Sequence, residues 1–160
     1  MKIRKALPED REEIGEVLRQ SYNIDSSEEG AEVFTQEIER HYRFILAVDD
    51  SEGKDKVVGL VSWQMHGLPK HQLAELDRIA VVPEFKGKGT AKALFDFMKS
   101  EMEKEYLSKG SRLRKIYLLT HASNKRAQRF YEKLGFFKET VLKDHFYQGE
   151  DELVYSVFLG

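Results

Sequence analysis

The stretch that decides the fold is Ile79-Ala80-Val81-Val82-Pro83-Glu84-Phe85-Lys86-Gly87-Lys88-Gly89-Thr90-Ala91. Its apolar first part predicts a buried strand that ends at Pro83, and the residues after Thr90 place apolar side chains at helical spacing. A strand therefore passes through a short glycine-bearing loop into an amphipathic helix. The first turn of such a helix has free backbone N–H groups and partial positive charge, so this junction suits an anion such as a phosphate.

The residues of this loop support the anion interpretation but do not require it. Gly87 and Gly89 allow close approach of the backbone to a phosphate, and Lys86 and Lys88 add positive charge. An ordinary strand-to-helix turn with solvated lysines explains the same residues, since short glycine motifs often match by chance. A P-loop is excluded because Ser or Thr does not follow Gly-Lys directly. A dinucleotide fingerprint is excluded because Lys92 stands where its third glycine would fall.

The segments around this junction predict an alternation of strands and helices. Strands are expected near residues 2–6, 44–48, 57–65, 73–82, 116–119, 136–142 and 152–159, and helices near 8–22, 33–42, 90–106 and 124–134. The order βααβββαβαββ predicts an α/β (α+β) fold with a mixed, mostly antiparallel sheet of about seven strands flanked by about four helices. One domain over residues 1–160 is expected, because no repeat or linker-like tract interrupts the chain.

Composition narrows the class of protein. The 160 residues are 41% hydrophobic and 34% charged, which is typical of a soluble globular protein. The absence of cysteine excludes disulfides and a cysteine nucleophile, and the five histidines show no metal-ligand spacing. No signal peptide or membrane helix is evident, so a cytoplasmic protein without a membrane partner is expected. The net charge of −2 argues against a nucleic-acid partner.

The loop and a second stretch downstream together resemble the GNAT superfamily of acetyl-CoA-dependent N-acetyltransferases. That family's pattern of Gln or Arg, two residues, Gly, one residue, and Gly or Ala is similar to Lys86-x-x-Gly89-x-Ala91. Lysine keeps the charge of the first position but lacks the planar fork of arginine. The stretch from Asn124 to Phe136 resembles the family's Asn-x-x-Ala-x-x-x-Tyr-x-x-x-Gly-Phe helix.

The resemblance implies a GNAT-like domain that binds acetyl-CoA as cosubstrate, without a metal, and acetylates a primary amine through a tetrahedral intermediate. It implies that the cosubstrate contacts the end of the 73–82 strand, the loop and the 124–134 helix. The residues expected there are Val81, Lys86, Gly87, Lys88, Gly89, Thr90, Ala91, Asn124 and Arg129. Dimers are common in that family, so a homodimer is one expected assembly.

The amine must lose a proton before it attacks, because an aliphatic amine with a pKa of about 8 to 10 is mostly protonated at pH 7. Glu75 and Asp77 are the candidate bases, since alternation along a strand places both on one face. The resemblance favours Glu75, because several family members carry a catalytic glutamate at this position. A water relay, with both carboxylates simply on the surface, is the alternative.

Tyr131 is the candidate general acid that protonates the leaving thiolate. It shares one predicted helix face with Ala127, Phe130 and Leu134, so a core tyrosine with a satisfied hydroxyl also explains the pattern. Its register with Asn124 and Gly135 is the part of the resemblance that implies the acid role. Asn124 is also expected to cap the helix.

The resemblance places the acceptor beside two segments, residues 22–32 and the predicted loop 145–151. Both combine acidic and aromatic side chains, which suits a cationic amine, so a polyamine or another small cationic amine is expected. The charge division agrees with this, since residues 1–80 carry 11 basic and 17 acidic side chains and residues 81–160 carry 15 and 11. Protein N-termini or lysines remain alternative acceptors. A non-catalytic acetyl-CoA-binding module or a protein-interaction domain is also open.

Overall fold

The computed structural model describes residues 1–160, and its elements follow the predicted order. The strands are Lys2–Lys5 (β1), Arg43–Asp49 (β2), Lys56–Met65 (β3), Leu73–Val81 (β4), Lys115–His121 (β5), Phe137–Tyr147 (β6) and Glu150–Phe158 (β7). The helices are Arg11–Ser21 (α1), Ser27–Glu39 (α2), Thr90–Ser108 (α3) and Lys125–Lys133 (α4). None of these helices is both long and apolar enough to cross a membrane.

The strands form one seven-stranded sheet in the order β1-β2-β3-β4-β5-β7-β6. The pairs β1–β2, β2–β3, β5–β7 and β6–β7 are antiparallel, and β4–β5 is parallel. A parallel pair needs a long crossover, and α3 supplies it between β4 and β5. The predicted α+β fold with a mostly antiparallel sheet is therefore confirmed.

Contacts divide the chain into two compact units, Met1–Gln64 with Arg78–Met102 and Met65–Asp77 with Glu103–Gly160. The single domain expected over residues 1–160 stays a prediction. In the first unit, the segment from Phe44 to Val48 on β2 is at most 3% exposed, which makes this strand part of the core.

The helices α1 and α2 of the first unit pack closely because glycines face each other. A Cβ atom on Gly15 would lie 2.3 Å from the carbonyl oxygen of Ser27, and one on Gly30 would lie 2.3 Å from that of Gly15. Helix α2 begins earlier than predicted, since the Ser26 hydroxyl accepts a hydrogen bond from the N–H of Glu29 at 3.0 Å and caps the first turn.

The second unit ends in a hairpin that is longer than predicted. Strand β6 continues to Tyr147 and β7 begins at Glu150, so the loop expected at 145–151 is mostly strand. The turn itself is Gln148–Gly149, and Gly149 has a φ of +86°. A turn this tight needs a left-handed residue, which glycine adopts without strain.

Candidate active site

The loop predicted to bind an anion joins β4 to α3 in the first unit. A single 3-10 turn, Pro83–Phe85, follows β4, and the N–H of Lys86 donates to the carbonyl of Pro83 at 3.2 Å. Gly87 and Gly89 have φ angles of +76° and +79°. Residues with a side chain rarely adopt this left-handed conformation, so the loop needs glycine at both positions.

Open space surrounds both glycines of the loop. No heavy atom lies within 4 Å of a Cβ atom built on Gly87 or Gly89, and Lys86 and Lys88 are exposed. Helix α3 begins at Thr90, directly after the second glycine. Because the N–H groups of a first helical turn have no partner within the helix, an anion can reach unused donors here.

The remaining residues predicted to bind the cosubstrate in the first unit lie beside this loop. Val81 is the last residue of β4 and is 8% exposed, and Thr90 is 2% exposed. The Thr90 hydroxyl donates to the carbonyl of Phe85 at 3.4 Å, and the Lys88 ammonium lies 5.0 Å from the centroid of the Phe85 ring. Thr90 therefore connects the start of α3 to the preceding turn, while Ala91 is half-buried on the helix.

Glu75 lies in the second unit on the last rung of the parallel ladder between β4 and β5, opposite Tyr117. Its Oε1 atom is 2.7 Å from Nε2 of His66 and 3.4 Å from the hydroxyl of Tyr117, which donates to it. The Tyr117 hydroxyl is also 2.8 Å from Nε2 of His66. The Glu75 side chain is 16% exposed and that of His66 is 37% exposed. The candidate base is thus part of a cluster of three polar side chains.

The alternative base, Asp77, lies two residues further along β4 and is half-buried. Leu76 between the two carboxylates is 2% exposed, so the alternation of the strand holds here and both carboxylates lie on one face. Sequence reasoning missed His66 and Tyr117. The sequence carries only a weak signal for His66, because a strand pairing brings it close to Glu75. In that pairing the backbone N–H of His66 donates to the Leu73 carbonyl at 3.0 Å.

Helix α4 of the second unit begins as predicted at Asn124. The Oδ1 atom of Asn124 accepts a hydrogen bond from the N–H of Ala127 at 3.1 Å, which confirms the expected N-cap. Gly135, with a φ of +95°, follows the end of the helix. Arg129 is exposed, as are its basic neighbours in the first turns, Lys125 and Arg126.

Tyr131 is more deeply buried than its helical spacing alone suggests, at 6% exposed. The centroid of its ring lies 5.5 Å from that of Phe130, 5.8 Å from that of Phe136 and 6.5 Å from that of Tyr155. The ring of Tyr131 is therefore part of the core of the second unit, independently of any catalytic role of its hydroxyl. Gln128, which sequence reasoning missed, is 9% exposed and donates to the carbonyls of His121 and Ala122 at 3.2 and 2.9 Å.

The segment 22–32, predicted to border the acceptor, connects α1 to α2 in the first unit. Of its acidic side chains, Glu29 accepts a hydrogen bond from the N–H of Asp25 at 2.7 Å, and Glu32 lies 3.9 Å from the guanidinium of Arg11. Asp25 and Glu28 are exposed. Some of the acidic side chains in this segment are therefore already paired with other groups of the same unit.

The second predicted acceptor segment is the end of the β6–β7 hairpin. Phe146 and Tyr147 are 62% and 49% exposed there. By contrast, Glu152 on β7 is 2% exposed and hydrogen-bonds Nδ1 of His121. The hairpin thus combines exposed aromatic rings with a buried carboxylate. No group of three or more His, Asp or Glu side chains is arranged to hold a metal ion.

Comparison with known sequences identifies a matching protein family. The profile of the acetyltransferase (GNAT) family matches residues 11–136. An N-alpha-acetyltransferase from Saccharolobus solfataricus is 32% identical over an alignment of 114 residues, and the match covers 68% of this chain. The chain spans just under two thirds, 64%, of the length of that relative.

Solved structures share the fold over almost the whole length. An aminoglycoside 6'-N-acetyltransferase complexed with coenzyme A has a TM-score of 0.75 and 21% identity, covering 99% of this chain and 97% of that one. A spermidine N-acetyltransferase variant from Vibrio cholerae has a TM-score of 0.74 and 23% identity, covering 99% and 95%. Identities this low support the fold alone. Since the family profile covers most of the sequence, the chain belongs to the acetyltransferase (GNAT) family.

Proposed function

We propose that this chain transfers the acetyl group of acetyl-CoA to a primary amine. The observation that carries the proposal is the loop from Lys86 to Gly89, whose glycines of positive φ leave open space directly before the first turn of α3. Backbone N–H groups, a helix N-terminus and two lysines suit a pyrophosphate. Membership in the acetyltransferase (GNAT) family supports coenzyme A as the molecule that supplies it.

The proposed residues contact different chemical groups of the cosubstrate. Lys86 and Lys88 offer charge to the pyrophosphate, and Lys86 does so as a point charge rather than as a planar fork. Glycine positions and the start of α3 offer backbone N–H groups. Val81 offers its backbone to the pantetheine arm. The proposed set is Val81, Lys86, Gly87, Lys88, Gly89, Thr90, Ala91, Asn124 and Arg129.

The proposed reaction begins when the ammonium group of the acceptor loses a proton. Glu75 supplies the base for this step, and Asp77 is the alternative. The amine lone pair then attacks the thioester carbonyl, forming a C–N bond and a tetrahedral intermediate. Collapse of the intermediate breaks the C–S bond, the electron pair goes to sulfur, and Tyr131 gives the thiolate a proton. The nitrogen loses its second proton to solvent as the amide forms, and solvent reprotonates Tyr131. Proton transfers of this kind contribute about 10²- to 10⁴-fold to a rate.

The proposed acceptor is a polyamine or another small cationic amine. Exposed Asp25 and Glu28 in the segment 22–32 offer negative charge, and exposed Phe146 and Tyr147 on the hairpin offer ring faces. A cation is attracted by both kinds of group. The shared fold of a spermidine N-acetyltransferase is compatible with this class of acceptor.

The N-terminal amine of a protein is the second candidate acceptor. The relative from Saccharolobus solfataricus, with 32% identity, is described as an N-alpha-acetyltransferase. An unprotonated α-amine is also easier to obtain than an unprotonated polyamine at neutral pH, because its ordinary pKa is about 8 rather than about 10. An assay with both kinds of amine therefore decides between a polyamine and a protein N-terminus as the acceptor.

Two measurements test the proposal. Acetyl-CoA should raise the melting temperature by mass action, since it binds the folded state. Release of free thiol is then followed over polyamines, amino acids, aminoglycosides and N-terminal peptides. Turnover with a polyamine supports the first acceptor, and turnover with peptides alone supports the second. If acetyl-CoA binds but no amine is acetylated, the chain is a non-catalytic acetyl-CoA-binding module. If millimolar acetyl-CoA causes no thermal shift, the proposal that the chain binds acetyl-CoA is wrong.

A further inference from the structure

We infer that the base of the proposed reaction is His66 rather than Glu75 itself: Nδ1 of His66 takes the proton of the acceptor amine, directly or through one water, while Glu75 holds the imidazole and balances its charge. This inference rests on the proposed acetyl transfer. His66 is then the catalytic residue and Glu75 a positioning residue. The relationship that carries it is the 2.7 Å contact between Oε1 of Glu75 and Nε2 of His66.

A carboxylate beside Nε2 favours one tautomer of His66. An ionised carboxylate is only an acceptor, so the hydrogen of the contact with Glu75 belongs to Nε2. The Tyr117 hydroxyl, 2.8 Å from Nε2, offers a second acceptor oxygen and donates its own hydrogen to Oε1 of Glu75 at 3.4 Å. With that hydrogen on Nε2, a neutral imidazole carries its lone pair on Nδ1, the ring nitrogen that does not contact Glu75.

The exposures of the pair agree with this division of roles. The side chain of Glu75 is 16% exposed, whereas that of His66 is 37% exposed. The carboxylate therefore lies on the inner side of the imidazole, and the imidazole is the member that solvent and a substrate reach more easily. A buried carboxylate behind an imidazole fixes its tautomer and stabilises the imidazolium that forms, as in hydrolytic triads.

Backbone hydrogen bonds, strand pairing and ring packing position the three side chains of the cluster. The N–H of His66, one residue after β3, donates to the Leu73 carbonyl at 3.0 Å, and the Tyr106 hydroxyl donates to the same carbonyl at 2.6 Å. Tyr117 lies opposite Glu75 in the β4–β5 ladder, and its ring centroid is 5.3 Å from that of His66. Side chains held this way lose little further freedom when a substrate binds.

The proton is accounted for at each step. It leaves the ammonium nitrogen of the acceptor and forms an N–H bond at Nδ1 of His66, giving an imidazolium beside the Glu75 carboxylate. The freed lone pair makes the C–N bond, the C–S bond breaks with its electron pair going to sulfur, and Tyr131 protonates the thiolate. The nitrogen loses its second proton to solvent as the amide forms, and solvent returns one proton to the Tyr131 tyrosinate. The imidazolium then releases its proton to solvent and regains the starting tautomer.

Rescue by added imidazole is the decisive test, because a structural role of His66 would not respond to it. In dilute buffer, His66→Ala and His66→Gln should each lower kcat by about 10²- to 10⁴-fold. Imidazole should restore turnover in His66→Ala, whose cavity opens to solvent, and not in His66→Gln, whose side chain fills it. Glu75→Gln should lower kcat without responding to imidazole.

The control variant is His41→Asn, at an exposed position with a φ of +69° that asparagine tolerates. It should match the wild-type protein. An unchanged kcat in both His66 variants, with Glu75→Gln inactive, would overturn the inference and leave Glu75 as the base itself. If the wild-type protein binds acetyl-CoA and acetylates no amine, the proposed function fails and the inference falls with it. Unfolding of His66→Ala alone leaves His66→Gln to decide, through its kcat.

Discussion

The hydroxyl of Tyr22 makes two hydrogen bonds to one residue of β4, donating to the carbonyl of Ile79 at 3.1 Å and accepting from its N–H at 3.0 Å. A side chain at the end of α1 thus satisfies both backbone groups of a strand residue. The Arg78 guanidinium lies 4.9 Å from the centroid of the same ring and pairs with Glu37 of α2 at 2.9 Å. The segment between α1 and α2 is therefore fastened to β4 within the first unit.

Replacing Tyr22 by phenylalanine should isolate the value of this hydroxyl. The ring and its contact with Arg78 remain, while the N–H and carbonyl of Ile79 lose a partner. We expect the free energy of unfolding to fall by about 1–3 kcal/mol, at about 0.5–1.5 kcal/mol for each of the two hydrogen bonds lost. Chemical denaturation measures this. Tyr147→Phe, at a position 49% exposed, is the control and should change stability by less than about 0.5 kcal/mol. Equal effects of both variants would contradict the role of Tyr22.

Alanine substitutions at Gly89 and Gly53 can be compared to separate the effect of backbone strain on stability from an effect on ligand binding. Their φ angles are +79° and +77°, and no heavy atom lies within 4 Å of a Cβ atom on either. Alanine at each should cost about 1–2 kcal/mol of stability, the penalty of the left-handed conformation. Only Gly89→Ala should weaken acetyl-CoA binding, by roughly 10- to 100-fold if one charged hydrogen bond is lost. Calorimetric titration decides this, and equal affinities of both variants would remove the anion site from the loop.

The parts of the site that could be predicted are those encoded locally. The loop, the start of α3 and the cap at Asn124 follow from glycines, helical spacing and a capping residue that are neighbours in sequence. The cluster of His66, Glu75 and Tyr117 depends on the register of two strand pairings, which short sequence patterns do not contain. Strand β6 was predicted too short because its side chains are exposed along almost its whole length, so no alternation of burial marks it.

The free energy of unfolding should depend on pH through Asp10. Its carboxylate accepts from the Arg4 guanidinium at 2.8 and 2.9 Å and from the N–H of Leu7 at 2.7 Å. The hydrogen bonds from Arg4, and then that from Leu7, hold the pKa of Asp10 below its ordinary value of 3.8, against the opposing effect of burial. The stabilisation is therefore complete above the unfolded pKa and is lost as pH falls through the lower, folded pKa.

Asp10→Asn should consequently lower stability at pH 7 by about 1–3 kcal/mol, the usual worth of hydrogen bonds to a charged group. The difference from wild type should shrink below about pH 4, where the unfolded carboxylate becomes protonated. Denaturation across a pH series measures it. Asp96→Asn, which breaks an exposed pair with Lys92, is the control and should stay within about 0.5 kcal/mol. A difference independent of pH would show that Asp10 contributes through shape and not through its charge.

Tyr131 and Tyr155 offer a final pair, because both are core tyrosines of the second unit, 6% and 2% exposed, with ring centroids 6.5 Å apart. The Tyr155 hydroxyl donates to Glu132 at 3.2 Å, and burial, followed by the Glu132 charge, raises its pKa above the ordinary value of 10.0. It is therefore held in the neutral form by its structural surroundings. Phenylalanine at either position keeps the ring and its packing.

If Tyr131 protonates the leaving thiolate, Tyr131→Phe should lower kcat by about 10²-fold or more and leave the KM for acetyl-CoA nearly unchanged. Tyr155→Phe should lower stability by about 1 kcal/mol through the lost hydrogen bond and leave kcat at the wild-type value. A fluorinated or nitro-substituted thioester analogue with a more acidic thiol needs less help from an acid, so it should restore part of the turnover of Tyr131→Phe. Full turnover of Tyr131→Phe with acetyl-CoA itself would reduce Tyr131 to a packing residue.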